Sequence, residues 1–227
     1  MSLNCKKPED VLKILKDENI NFVDLRFTDP RGKWQHLTMD SGFIEEDSFA
    51  DGIMFDGSSI AGWKAINDSD MSLVPDPTTA VMDPFAAQPA MILFCDIMEP
   101  TTGQAYNRDP RSVAKKGEAY LGSTGIGDTA YFGPEPEFFV FDDVRFDVQM
   151  NTCFYEFSHG EGPYMSGRIM PEGQGNIGHR PPAKGGYFPV PPVDSTYDLR
   201  AEMVTVMKEM GLNMDKHHHE VAPSQHE

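Results

Sequence analysis

The order of apolar and polar residues predicts a helix and a hairpin near the start of the chain. In residues 8–18, PEDVLKILKDE, the apolar side chains share one helical face, and Pro8 suits the first helical position. Residues 23–27 then alternate apolar with polar, which is the period of a half-buried strand. The DPRG sequence at 29–32 fits a type I turn, and a second extended run follows at 34–39. The pattern therefore predicts a helix followed by a β-hairpin.

Three further segments have a regular pattern. Residues 90–98, AMILFCDIM, are almost continuously apolar and predict a buried strand. Residues 107–125 predict a helix closed by Gly122, and residues 196–210 predict a helix with an apolar, methionine-rich stripe ended by Gly211. We place a domain boundary before the first of these helices, between residues 105 and 106.

The region between these two helices has two different patterns. Residues 129–148 alternate over two strand-length runs. Residues 151–194 are rich in glycine and proline and poor in regular pattern, but they carry Tyr, Phe, Met and His, which disordered tracts lack. A long irregular segment of this composition predicts an ordered functional loop.

Composition limits the class of protein. At 227 residues the chain predicts one large domain, or one domain and part of another. A 39% hydrophobic content is too high for a disordered chain. The sequence has no run of about 18 apolar residues, which a membrane-spanning helix requires. The N-terminus lacks the apolar core of a secretory signal, and three scattered cysteines without a CxxC pair predict neither a disulfide framework nor a thiolate zinc site. We expect a cytoplasmic protein with free thiols.

The formal net charge of −17 argues against nucleic acid or an anionic membrane as a partner, because both require clustered Lys and Arg. The excess of acid has two interpretations. It can serve solubility, or some of the carboxylates can gather to hold hard divalent cations, which prefer oxygen ligands. Charge alone favours solubility.

Two glutamates in GPEPEFFVF, residues 133–141, are candidate metal ligands. In an extended strand Glu135 and Glu137 project from one face, roughly 7 Å apart. They could be ordinary outward-facing polar residues. However, Phe139 and Phe141 continue the same face, so the two acids border apolar material and require a cation or strong hydrogen-bond donors.

A second group of candidate ligands lies in HHHEVAPSQHE, residues 217–227. On a strand, His218 and Glu220 share a face while the two flanking histidines point the other way, and Glu227 returns after a turn at residues 223–224. Imidazole and carboxylate can bind one cation together. The alternative, that the histidines are simply polar strand residues, stays open on this pattern alone.

A third candidate site lies in FDGSSIAGW, residues 55–63. Asp56 stands beside glycine and two serines, which is the composition of a tight loop presenting a carboxylate next to hydroxyl groups. An ordinary Asx-turn has the same composition. The segment does not match the GxxxxGK[ST] phosphate loop.

Four strings together resemble, in order, the motifs of bacterial type I glutamine synthetase: FDGSSIAGW, GPEPEFFVFD, KGGYFPVPPVDS and HHHEVAPSQHE. The resemblance implies an α+β fold, with a β-grasp-like N-terminal domain over residues 1–105. Residues 106–227 would then form the first part of a catalytic domain with a curved antiparallel sheet. It also implies a dodecamer of two stacked hexameric rings, and the ATP-dependent condensation of glutamate with ammonia to glutamine, through a γ-glutamyl phosphate.

The resemblance also implies roles for individual residues. Glu137, Glu220 and Glu227 match the ligands of the tighter of two sites for Mg²⁺ or Mn²⁺, and Glu135 matches the first ligand of the second site. We therefore expect the first three carboxylates to converge on one point. A glycine usually precedes the glutamine in this turn of the family, whereas this chain has Ser224.

The remaining matches concern ammonium and nucleotide. Asp56 and Ser59 match a loop that a neighbouring subunit contributes to ammonium binding, Tyr187 matches the tyrosine opposite, and Asp215 stands where the family has a nucleotide-contacting glutamate. We expect Asp56 to lie far from Glu220 in one chain. We also expect residues 51–66 to be exposed, with Ile60 and Trp63 forming an apolar surface.

The chains of this family are much longer than 227 residues, so we expect an incomplete sequence that has no activity alone. Two alternatives to a glutamine synthetase remain. One is a ligase that joins a different amine to glutamate. The other is a non-catalytic relative with a structural or regulatory role, against which the four metal glutamates argue, because a scaffold gains nothing from burying acids without a partner.

Overall fold

The computed structural model describes residues 2–165 and 178–227. Contacts within the chain divide it into two compact units. The first comprises Met1–Tyr131 and Glu209–Gly211, and the second comprises Phe132–Lys208 and Leu212–Glu227. None of the helices in the described residues is long and apolar enough to span a bilayer.

The first unit is a sheet with helices packed against it. Its elements in chain order are α1 (Pro8–Asp17), β1 (Phe22–Thr28), β2 (Trp34–Asp40), α2 (Glu46–Ala50), β3 (Ile53–Asp56), β4 (Asp70–Pro75), β5 (Val81–Met82), β6 (Ala90–Glu99), β7 (Gln104–Ala105) and α3 (Pro110–Thr124). The strands are ordered β2-β1-β6-β4-β3, and β5 and β7 also pair with β6. Because β1 and β6 are parallel and the other pairs antiparallel, the described sheet is mixed.

Three predicted elements of this unit are confirmed. The helix is α1, the hairpin is β1–β2 with Thr28 paired to Trp34, and the buried apolar strand is β6. In the turn of the hairpin the Gly32 N–H donates to the Asp29 carbonyl at 3.0 Å. The central place of β6 is consistent with its composition, since most of the side chains of a strand between other strands are buried.

The core of the first unit lies between α1 and the sheet, and it includes Trp63. This side chain is 5% exposed, and its ring lies 5.5 Å from the ring centroids of Phe27 and Tyr106. Ile60 is partly buried against the same core. The expectation that Trp63 and Ile60 form an exposed apolar surface is therefore wrong. The segment after β3 folds back over the sheet, with the Gly57 N–H donating to the Ser69 carbonyl. Trp63 is thereby buried and Ile60 is partly buried.

The helix α3 is confirmed, but its predicted end at Gly122 is wrong. The helix continues to Thr124 and ends at Gly125, whose φ of +68° lies in the left-handed region. A glycine ends a helix only where its backbone leaves the helical conformation. The backbone of Gly122 stays helical, so the helix continues past it. At the other end, the Asp109 side chain accepts hydrogen bonds from the N–H groups of Arg111 and Ser112.

In its described residues, the second unit contains short strands and one long helix. Its elements are β8 (Phe138–Phe139), β9 (Asp143–Val148), β10 (Cys153–Ser158), α4 (Tyr197–Glu209) and β11 (Gln225–His226). Strands β9 and β10 form an antiparallel hairpin, and β8 pairs antiparallel with β11. The helix α4 is confirmed. The apolar stripe of α4 includes Met203 and Met207. Both side chains line an apolar cavity of about 140 Å³.

Two predictions for this unit need correction. The segment predicted as one irregular loop contains β10, because CFYEFS alternates and pairs with β9. Its residues 166–177 lie outside the described part of the chain. The strand predicted over HHHEVA is reduced to a single bridge between His219 and His226, since the chain turns back immediately after Ala222. The α+β class is confirmed.

Candidate metal centre

Residues 218–227 form a tight turn whose two ends are hydrogen-bonded to each other. The His218 N–H donates to the Glu227 carbonyl at 3.0 Å, and the Glu227 N–H donates back to the His218 carbonyl at 3.1 Å. Closer to the turn, the Glu220 N–H donates to the Gln225 carbonyl at 2.8 Å. The predicted turn at residues 223–224 is confirmed. It brings residues at its two ends side by side.

Three side chains of this turn converge. One ligand atom each of His218, Glu220 and Glu227 lies within 4.8 Å of the other two. The imidazole stands between the acids, with Nδ1 3.5 Å from Glu220 Oε1 and Nε2 3.3 Å from Glu227 Oε2. The Val221 N–H donates to Glu220 Oε2, so the other oxygen of this carboxylate faces the cluster. We call these three residues the turn cluster.

The donor chemistry of the turn cluster fits a hard divalent cation. Two carboxylates and an imidazole are ligands that Mg²⁺ and Mn²⁺ accept. The three side chains are 12–16% exposed, so the acids are partly withdrawn from water and repel one another without a cation between them. The sequence pattern made His218 a candidate ligand beside Glu220, but the family resemblance assigned no metal role to it.

Glu137 contacts the same turn through Gln225. It directly precedes β8, and β8 pairs with β11 so that Phe138 faces His226. Continuing this register by one residue pairs Glu137 with Glu227. The Glu137 Oε2 atom accepts a hydrogen bond from Gln225 Nε2 at 2.6 Å. Among the described residues, the group within 4.8 Å does not include Glu137, and Glu135, two residues earlier, is exposed.

The KGGYF motif packs against the same turn. The Gly186 N–H donates to the Val221 carbonyl at 2.9 Å, and a Cβ at Gly186 would lie 2.9 Å from the Glu220 carbonyl oxygen. Only glycine permits so close an approach. The Tyr187 ring lies edge-on to His218, with 5.7 Å between centroids, so it is next to the turn cluster. Asp215 is exposed.

Asp56 and Ser59 lie in the first unit, at the end of β3, and contact each other. Asp56 Oδ1 accepts from the Ser58 hydroxyl at 2.6 Å and from the Ser58 N–H at 2.8 Å, while Oδ2 accepts from the Ser59 hydroxyl at 3.1 Å. These hydrogen bonds, those of Ser58 first, lower the pKa of the Asp56 carboxyl. The exposed carboxylate is therefore charged at neutral pH.

A buried carboxylate behind the turn cluster was missed in the sequence. Glu161 is 1% exposed. Its Oε1 accepts from the hydroxyl and N–H of Ser195 at 2.7 and 3.1 Å, and its Oε2 accepts from the Ser224 N–H at 2.7 Å and lies 2.6 Å from His219 Nε2. Burial alone would raise the pKa of this carboxyl, but these donors outweigh it and lower the pKa to about 2.

A buried arginine completes this polar interior. Arg200 on α4 is 2% exposed, donates to Asp194, and has Nη1 3.0 Å from His226 Nδ1. Burial, followed by the charge of Arg200, lowers the pKa of His226 to about 4, so its imidazole is neutral at pH 7. Glu161 carries no local signal, because its partners lie 34 to 63 residues away in the sequence. Arg200 has near partners in Thr196 and Asp194, but its contact with His226 spans 26 residues. A lone glutamate in the HGEG string, among glycines and aromatics, was the one available hint.

Comparisons with known proteins cover both units. Residues 19–100 match the family described as glutamine synthetase, beta-Grasp domain, and residues 107–227 match glutamine synthetase, catalytic domain. The glutamine synthetase of Azospirillum brasilense is 63% identical over 96% of this chain and 46% of its own length, and that of Rhizobium meliloti (strain 1021) is 60% identical with the same coverage. The chain thus spans about half the length of the curated relatives it matches.

A solved structure has the same fold. The cryo-EM structure of Plasmodium falciparum glutamine synthetase matches 99% of this chain and 44% of its own, with a TM-score of 0.84 and 22% identity. The β-grasp domain and the catalytic part of the predicted fold are both found. Since the family matches extend over most of the sequence, this chain belongs to the glutamine synthetase family, of which it carries the N-terminal portion.

Proposed function

We propose that the protein condenses glutamate with ammonia to form glutamine, with ATP converted to ADP and phosphate. The observation that carries this proposal is the turn cluster: within a chain of this family, His218, Glu220 and Glu227 come within 4.8 Å of one another. Cation binding is the function that such a donor set serves best, and phosphoryl transfer from ATP needs a divalent cation.

The reaction explains why acids must gather here. A carboxylate is a poor electrophile, so ATP first phosphorylates the γ-carboxylate of glutamate, and ammonia then displaces the phosphate. When bound, Mg²⁺ or Mn²⁺ offsets the charge on the transferring phosphoryl group. Glu220 and Glu227 would hold the tighter of two ions and Glu137, beside Glu227, would complete that site. Glu135 would serve the second ion.

Asp56 and Ser59 would bind ammonium, as a loop contributed by the neighbouring subunit of a dodecamer. A charged, exposed carboxylate with two serine hydroxyls supports this role, because it attracts a cation. Asp56 would assist the loss of a proton from ammonium as a base or as an electrostatic partner. Tyr187, next to His218, would face this loop, and Asp215 would contact the nucleotide.

Domain limits, location and the activity of this chain complete the proposal. A domain boundary between residues 105 and 106 is supported by the two family matches, because the first ends at residue 100 and the second begins at residue 107. A cytoplasmic location is consistent with the helices described. The 227-residue chain alone would not form glutamine, since its relatives use about twice this length.

The nearest alternative joins another amine to glutamate. The small polar group of Asp56, Ser58 and Ser59 favours ammonium, because an alkyl amine would place apolar carbon against charged and hydroxyl groups.

Glutamine formation by the full-length protein tests the proposal. With ATP, Mg²⁺ and glutamate, ammonium should be the amine used, and methylamine should be a poor substrate. We expect Glu227→Gln to lower the rate by about 100-fold or more, because one ligand of the ion is lost. Glu118→Gln, an exposed carboxylate on α3, is the control and should keep full activity. Full activity of the Glu227→Gln protein, or a preference for methylamine, would overturn the proposal.

A further inference from the structure

We propose that Glu161 is a positioning residue, whose buried carboxylate holds the turn cluster at the spacing that a divalent cation requires. This inference rests on the proposed function, because it assigns a role to a residue behind the same metal site. Glu161 does not belong to any of the four motifs that the sequence singled out.

The contacts of Glu161 join three separate segments. One oxygen is held by Ser195, 34 residues away in the sequence, and the other by His219 and the Ser224 N–H, 58 and 63 residues away. Two of these partners belong to the turn itself. His219 lies between His218 and Glu220, and Ser224 lies between Glu220 and Glu227. The Glu161 carboxylate therefore fixes the turn at His219, before Glu220, and at Ser224, after it.

The direction of the side chains gives this contact its effect on the ligands. His219 points inward, 1% exposed, with Nε2 on Glu161 and Nδ1 2.7 Å from the Glu220 carbonyl oxygen. Since neighbouring residues of extended chain point to opposite faces, fixing His219 inward directs His218 and Glu220 to the other face together. The bond to Ser224 fixes the turn that returns the chain to Glu227.

Loss of the carboxylate would leave buried groups unpaired. Glutamine at position 161 keeps the size of the side chain but replaces one accepting oxygen by a donating NH₂ group. In one orientation this NH₂ group would face His219 and the Ser224 N–H. In the other orientation it would face the hydroxyl and N–H of Ser195. Buried donors without acceptors are costly, so the turn would move to find new partners. Small displacements of supporting groups typically weaken metal binding by about 10–100-fold.

A purely structural role predicts a different result. Asp109 is an equally buried carboxylate, 0% exposed, which accepts from the N–H groups of Arg111 and Ser112 and from the Ser112 hydroxyl in the first unit. The Asp109→Asn variant should therefore lose stability without a change in metal affinity. If Glu161 acted only through stability, the two variants would behave alike.

The test measures Mn²⁺ affinity and hydrogen exchange on the full-length protein. Free Mn²⁺ is followed by electron paramagnetic resonance, and amide exchange is followed in peptides covering residues 218–227. We expect Glu161→Gln to weaken Mn²⁺ binding by about tenfold or more and to speed exchange in this turn. Ser195→Ala should have a smaller effect of the same kind, and Asp109→Asn should have neither effect. Glu227→Gln should abolish binding of the tighter Mn²⁺ ion.

The outcomes separate the two proposals. Binding lost in Glu227→Gln but unchanged in Glu161→Gln, with normal exchange in the turn, overturns the positioning role alone. An unaltered chain that does not bind Mn²⁺, or a Glu227→Gln chain that binds normally, overturns the metal centre and the positioning role with it. If Glu161→Gln fails to fold, Ser195→Ala decides, and unchanged Mn²⁺ affinity and exchange in that variant overturn the positioning role.

Discussion

Ser224 adopts a backbone conformation that favours glycine, and its contacts offset the cost. Its φ is +58°, in the left-handed region, where a side chain costs about 1–2 kcal/mol. The hydroxyl of Ser224 hydrogen-bonds with His159, and its N–H donates to Glu161. Serine at this position is therefore tolerated through specific partners, which the sequence alone could not reveal.

Two substitutions at Ser224 separate these effects. Ser224→Ala should lower the free energy of unfolding by about 1–2 kcal/mol, because it removes the hydroxyl bond and keeps the strained φ. Ser224→Gly should change it by less, since relief of the strain offsets the lost bond. Thermal unfolding followed by circular dichroism measures both. A glycine variant as unstable as the alanine variant would show that the backbone is not strained at this position.

Asp24 couples the stability of the first unit to pH. The side chain is 6% exposed and accepts from Arg26 Nε at 2.7 Å and Thr38 Oγ1 at 2.7 Å, with His36 Nδ1 at 2.6 Å. Burial raises the pKa of this carboxyl, but the hydrogen bonds, that of His36 first, outweigh it, so the pKa is lowered overall.

A lowered pKa means that the carboxylate stabilises the fold above its unfolded pKa of about 4, and that this contribution is lost as the pH falls through the folded pKa. Asp24→Asn should therefore be less stable than the unaltered chain at pH 7, and the difference should shrink below about pH 4. Urea unfolding followed by tryptophan fluorescence measures it, since Trp34 and Trp63 both lie in the first unit. A difference that is constant from pH 7 to pH 3 would contradict this account.

At the scale of elements, α3 provides a matched pair of glycines. Gly122 lies inside the helix with open space around its Cα, and Gly125 ends it with φ +68°. Gly122→Ala should raise the free energy of unfolding by about 0.5–1 kcal/mol, because alanine favours the helix. Gly125→Ala should lower it by about 1 kcal/mol, because alanine resists the left-handed conformation. Opposite shifts in urea midpoint are expected, and equal shifts would mean that the helix ends elsewhere.

The elements that the sequence predicted correctly carry their information locally. The helix α1, the β1–β2 hairpin, β6 and α4 each follow from apolar periodicity and a nearby proline or glycine. The errors arose where pairing between segments decides. Strand β10 exists because it pairs with β9, the strand just before it, and Trp63 is buried because the segment after β3 folds back on the sheet. HHHEVA forms a single bridge across the turn instead of a longer strand.

At the scale of the whole molecule, family motifs pointed to the site more reliably than pattern did. Glu220 and Glu227 are seven residues apart in the sequence and meet through one turn, so a motif could predict their convergence. Glu161 contacts His219, which is 58 residues away in the sequence. A single sequence does not show which residues so far apart will be in contact. The interior support of the site was therefore beyond prediction from one sequence, and the ligand assignments stay predictions.

The position of a bound ion tests the central claim, that residues 218–227 form the metal centre. Crystals of the full-length protein grown with Mn²⁺ give anomalous scattering that locates the ion directly. We predict a peak roughly 2.0–2.6 Å from a carboxylate oxygen of Glu220 and one of Glu227, with His218 or Glu137 alongside. At saturating Mn²⁺, an ion elsewhere in the chain and none between Glu220 and Glu227 would contradict the account.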